Sequence, residues 1–134
     1  MVTGSCLCKA VQFEVTGELP PIVMCHCQQC RKAQGTAFVT NLPVNESQFK
    51  LTQGKDNLSS FESSPGKHRF FCKECGSPVM SKTTKQPGQV RLRAGTLDGD
   101  LDTRPAFHIY TASKANWYSI CDDLPQHADR PSTK

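Results

Sequence analysis

At 134 residues the chain has the length of one domain, enough to bury roughly two-thirds of its unfolded surface. Its apolar share is only 37%, with 7% aromatic, so the core is thin and the eight cysteines are candidates to supplement it. The net charge is +4 with no run of five or more Lys/Arg, which argues against a nucleic-acid patch, and no apolar run nears the ~18 residues of a membrane span.

The N-terminus, MVTGSCLC, has neither a basic n-region nor an apolar h-region, so the expected compartment is the reducing cytoplasm. Stable disulfides are rare there, and the cysteines read as metal ligands. Thiolates bound to divalent ions would also offset most of the basic surplus, because ligating thiols are deprotonated.

In chain order, Cys6-Leu7-Cys8 comes first. On an extended strand residues i and i+2 share a face, so both sulfurs could reach one ion. AVQFEVTG alternates strictly: Val11, Phe13 and Val15 on one face, Gln12, Glu14 and Thr16 on the other, a half-buried strand. Leu19-Pro20-Pro21 breaks it, and Ile22-Val23-Met24 restarts an extended run into Cys25-His26-Cys27-Gln28-Gln29-Cys30. RKAQG then reads as one helical turn closed by Gly35, followed by a β run at AFVTNLPV. Further strands are expected at QFKLT, LSSFE, KHRFF, PVMSKT and QVRLRAG, with a turn at Ser63-Ser64-Pro65-Gly66. FCKECGSP has the form of a zinc knuckle, with Gly76 in the left-handed position after Cys75. No helical period lasts three turns. The expected fold is mainly β: a single domain over 4–125 and a polar, frayed tail over 126–134.

The cysteines thus form unequal sets. Cys72 and Cys75 supply two ligands, and a C-x-C pair supplies two more to close a tetrahedron. Spacing leaves open which C-x-C meets the knuckle. If it is Cys6 and Cys8, then Cys25, Cys27 and Cys30 form a three-sulfur set with an open position, the mark of a catalytic rather than a structural zinc site. The bland alternative is that Cys121 or a histidine completes a second structural site. His26, between two ligands on an extended run, should point to the opposite face. Cys121 reads as a small buried hydrophobe, and His108 as a core-edge histidine rather than an acid/base group.

Several motifs occur in order: GSCLCKAVQF, CHCQQCRKAQG, FCKECG, AGTLD and HIYTASKANW. Over about residues 4 to 125 this pattern resembles the glutathione-dependent formaldehyde-activating enzyme family, also called centromere-protein-V-like. The resemblance implies a β-tent fold of short twisted antiparallel sheets around two zinc sites, hence two Zn²⁺ per chain. It assigns Cys6, Cys8, Cys72 and Cys75 to the structural zinc, and Cys25, Cys27 and Cys30 to the catalytic one.

The implied activity is that of a carbon–sulfur lyase, joining a glutathione-like thiol to formaldehyde or a related small aldehyde to give an S-hydroxymethyl adduct. Glutathione carries two carboxylates, so cations should rim the site, and Arg31, Lys32 and Lys114 are the nominees. The rival class is a non-catalytic, zinc-stabilised binding or scaffold module. An enzyme needs a solvent-reachable metal, whereas a scaffold would show a fourth protein ligand.

Overall fold

The structure is a computed structural model that describes residues 1–130. Its strands are β1 (Val2–Ser5), β2 (Gln12–Val15), β3 (Ile22–Cys25), β4 (Val39–Asn45) and β5 (Phe49–Gln53). They continue with β6 (Leu58–Ser64), β7 (Lys67–Cys72), β8 (Pro78–Thr83), β9 (Gln89–Arg93) and β10 (Pro105–Ile109). One α-helix, α1 (Gln28–Gln34), follows β3.

A three-stranded antiparallel sheet has the order β1-β2-β5, and a seven-stranded sheet has the order β10-β3-β4-β9-β8-β7-β6. The mainly β fold of short sheets is therefore the one expected. The alternation in AVQFEVTG does what its period requires: Val11, Phe13 and Val15 are buried while Gln12 and Glu14 face outward. Phe13 and Val15 meet Ile22, Leu42, Val44, Val79, Met80, Val90 and Leu92 in one apolar cluster. The core lies between the small sheet and one face of the large one.

Two strands escape the sequence reading. In β1 a β-breaking glycine hides the signal, yet only glycine fits there, since a Cβ on Gly4 would sit 2.5 Å from the Phe13 ring. β10 pairs with β3 in parallel, an exception in sheets that are otherwise antiparallel. Parallel pairing needs a long crossover, so no local turn signals it.

Residues 126–129, expected as the start of a frayed tail, hydrogen bond back onto the chain. His127 N–H donates to His108 O, Thr111 N–H to His127 O, and Tyr110 N–H to Asp129 O. The rest of the expected tail, 131–134, lies outside the described residues.

Candidate metal centres

Cys6 and Cys8 sit in a turn just after β1 rather than on a strand as expected. Lys9 takes a left-handed φ of 67° there, and the Val11 N–H donates to Cys6 Sγ at 3.3 Å. The facing turn follows β7. Gly76 adopts a φ of 78°, as the knuckle requires, and its N–H donates to Cys72 O at 2.7 Å. Ser77 ties the two turns together, its hydroxyl accepting from Leu7 N–H at 2.9 Å and lying 3.2 Å from Cys75 Sγ.

These turns bring Cys6, Cys8, Cys72 and Cys75 together, all four sulfurs lying within 4.8 Å of one another. Cys6 and Cys8 are 3.7 Å apart and Cys8 and Cys72 are 3.8 Å apart. A tetrahedron with Zn–S near ~2.3 Å has an edge of about 3.8 Å, so the donor set fits a zinc ion. It does not fit a disulfide, whose sulfurs lie about 2 Å apart. The Ser77 hydroxyl, then backbone groups of Cys8 and Ser77, hold the Cys75 thiol down to about 5.

The second set is built by a strand end and a helix start. Cys25 ends β3, Cys27 is the N-cap of α1 with Sγ accepting from Cys30 N–H at 3.3 Å, and Cys30 lies in the first turn. Gly35, at φ 70°, closes the helix as its sequence position promised. The three sulfurs also lie within 4.8 Å of one another. No further Cys, His, Asp or Glu joins either set among the described residues.

Cys121 is exposed rather than buried, because it stands in a loop, its Sγ donating to the Ser119 carbonyl at 3.5 Å. It completes neither site.

The Cys25, Cys27 and Cys30 sulfurs open onto a cleft of about 300 Å³ that also touches Lys67, Arg91, Tyr110 and Arg130. Hydrogen bonds from Cys25 and Cys27, and then the Arg69 charge, hold Cys30 far below the usual thiol range. Arg69 is 7% exposed and donates from Nη2 to Cys30 Sγ at 3.6 Å and to Gln29 Oε1 at 3.2 Å.

The sheet register explains why so many cations meet here. Arg69 pairs with Ser81 and Ser81 with Arg91, so both arginines stand in one row on one face. Lys67 and Arg93, two residues along β7 and β9, join that face. Burial lowers the pKa of Lys67 and Arg91, and burial with the Arg69 charge brings Arg93 down to about 10.

The cations nominated from sequence lie elsewhere. Arg31 and Lys32 ride on α1, and Lys114 donates to the Ala115 and Tyr118 carbonyls. The usable signal was the alternation itself: K-x-R in KHRFF and R-x-R in QVRLRAG each aim two cations at one sheet face.

His26 faces away from the sulfurs, as its place between Cys25 and Cys27 implied. It is fully buried, and its Nε2 lies 2.8 Å from Nδ1 of His108, itself 1% exposed. His108 Nε2 in turn lies 3.1 Å from Asp122. A carboxylate only accepts, so His108 donates to Asp122 from Nε2 and accepts from His26 at Nδ1. The Leu124 N–H, then His108, holds Asp122 below its ordinary range, while burial lowers His26 to about 4. His108 is thus fully buried and partners the buried His26 ring, which projects away from the three-sulfur loop.

Comparison with known proteins agrees with this architecture. A family model described as glutathione-dependent formaldehyde-activating enzyme matches residues 1–113. A Halomonas elongata protein, provisionally named a glutathione-dependent formaldehyde-activating enzyme, is 31% identical over 129 residues, covering 90% of this chain and 81% of its own. An uncharacterized lyase of Schizosaccharomyces pombe is 32% identical over 96 residues, covering 72% of this chain and 68% of its own. A crystal structure of a Rhodobacter sphaeroides protein superposes with a TM-score of 0.63 at 22% identity, covering 78% of this chain and 99% of that one. At that identity the superposition speaks for the fold alone.

Proposed function

The chain belongs to the glutathione-dependent formaldehyde-activating enzyme family, and from that membership we propose that it is a zinc-dependent carbon–sulfur lyase. It would join a glutathione-like thiol to formaldehyde or a related small aldehyde. The S–H bond and the π bond of the C=O are consumed, C–S and O–H bonds form, and the thiol proton ends on the former carbonyl oxygen as a hydroxyl.

One observation carries this reading: three sulfurs converge on an open cleft with no fourth ligand among the described residues. A closed structural site would use four. Cys6, Cys8, Cys72 and Cys75 would hold the structural ion, and Cys25, Cys27 and Cys30 the other. An ion held by three thiolates supplies a position at which an entering thiol loses its proton.

The chain's own groups do the rest. Arg69, donating to Cys30 Sγ, keeps that sulfur in its thiolate form. Lys67, Arg91 and Arg130 line the cleft and would pair with the carboxylates of an acidic thiol. Ile109 and Tyr110, the latter at a left-handed φ of 55°, also line the cleft.

Cobalt substitution tests the reading through the thiolate charge-transfer bands. Added glutathione should shift those bands and bind more tightly than a simple alkyl thiol, with salt narrowing the gap by screening. Formaldehyde should then disappear in step with thiol. A spectrum indifferent to glutathione, in protein retaining both metals, would overturn the lyase in favour of the scaffold.

A further inference from the structure

Arg69 also lines a second pocket, of about 210 Å³, which shares no lining residue with the three-cysteine cleft. Its walls are apolar, formed by Ala33 of α1, Phe61 of β6, Phe71 of β7 and Pro78 of β8. Its polar lining includes two guanidinium side chains, Arg69 and Arg93. Phe61 is one of the few large apolar side chains left 66% exposed. An apolar concavity with a few convergent polar groups is the usual form of a small-molecule site.

The charges are incompletely answered. Arg93 is 3% exposed, its Nη1 donates to the neutral Asn41 amide, and its buried Nε meets no partner among the described residues. Arg69 donates to Ser63, Gln29 and Cys30. No carboxylate pairs with either arginine among the described residues. Three thiolates around a divalent ion retain one net negative charge, too little to balance Arg69, Arg93 and Arg91 together. Desolvated cations normally have a counter-charge, and nothing acidic lines this pocket.

We propose that the pocket binds a small carboxylic acid with an aromatic or branched aliphatic body, its carboxylate on Arg93 and Arg69 and its body against Phe61, Phe71 and Pro78. The site is separate from the thiol cleft and is not assigned by the lyase reading. It communicates with that cleft through Arg69, because an anion that claims an Arg69 N–H weakens the donation to Cys30 Sγ.

Calorimetry of the full chain carrying its zinc, titrated with benzoate, tests the proposal without thiol or aldehyde, so failure of the lyase reading leaves it standing. One benzoate should bind per chain, and benzyl alcohol should give no heat. Saturating glutathione should change benzoate affinity by no more than about tenfold, a coupling through Arg69 rather than displacement. Arg93→Met should weaken benzoate at least about tenfold, the loss of a charge-assisted hydrogen bond. Phe61→Ala, an exposed change that spares folding, should weaken it about threefold and decides the matter if Arg93→Met fails to fold. In cobalt-substituted protein, benzoate should shift the thiolate bands. Absence of benzoate binding, equal binding of benzyl alcohol, one-for-one competition with glutathione, or full affinity in Phe61→Ala would each overturn the site.

Discussion

Arg69 is the cation that touches Cys30 directly. Its Nη2 donates to the sulfur while Nε is held by Ser63 Oγ at 3.0 Å, so the guanidinium arrives pre-oriented. Arg69→Met should weaken metal binding at the three-cysteine set by about ten- to hundredfold, the usual effect of removing an outer partner of a ligand. The four-cysteine set should be unaffected. Competition with a chromophoric chelator measures both, and Arg69→Lys should restore part of the loss because it returns a donor without the fork. Equal loss from both sets would reassign Arg69 to general stability. On the other side of the same loop, His108→Phe would leave the buried His26 Nε2–H unpaired. That should cost about 1–3 kcal/mol in denaturant unfolding. Asp122→Asn should cost less, since Asp122 is partly exposed and an amide oxygen can still accept from His108.

Among elements, α1 and the two cysteine turns divide the labour. α1 has seven residues, too few to persist alone, and is held by its Cys27 cap and Gly35 stop. The turns at Cys6–Cys8 and Cys72–Cys75 link the small sheet to the large one, and their sulfurs pack with Val11, Leu51 and Leu58. Removing a ligand should therefore have opposite consequences in the two places. Cys72→Ala should abolish cooperative folding, because structural zinc contributes on the order of 10 kcal/mol in small metal-dependent domains. Cys30→Ala should leave a folded chain that retains one ion and lacks lyase activity. Circular dichroism melts with metal analysis separate the outcomes, and a Cys30→Ala chain as unfolded as Cys72→Ala would remove the catalytic assignment.

For the whole molecule, the unequal sets predict unequal loss of metal. Under mild chelation the zinc content should fall in two steps, the three-thiolate ion leaving first because its open position admits the chelator. A single tight ion, or iron in place of zinc, would contradict the two-site reading. Much of this was legible in the sequence. The C-x-C, C-x-x-C and glycine positions named the candidate ligands, because tight turns and metal spacing are local. Strict alternation named β2 and its buried face for the same reason. Which C-x-C meets Cys72 and Cys75 came only from the family resemblance, since that pairing joins distant segments. The parallel pairing of β10 with β3, the convergence of Lys67, Arg69, Arg91 and Arg93 on one face, and the His26–His108–Asp122 chain were decided only by tertiary structure. Each depends on register between segments far apart in the chain, and register is set by how whole sheets bury their apolar faces, not by any window of neighbouring residues.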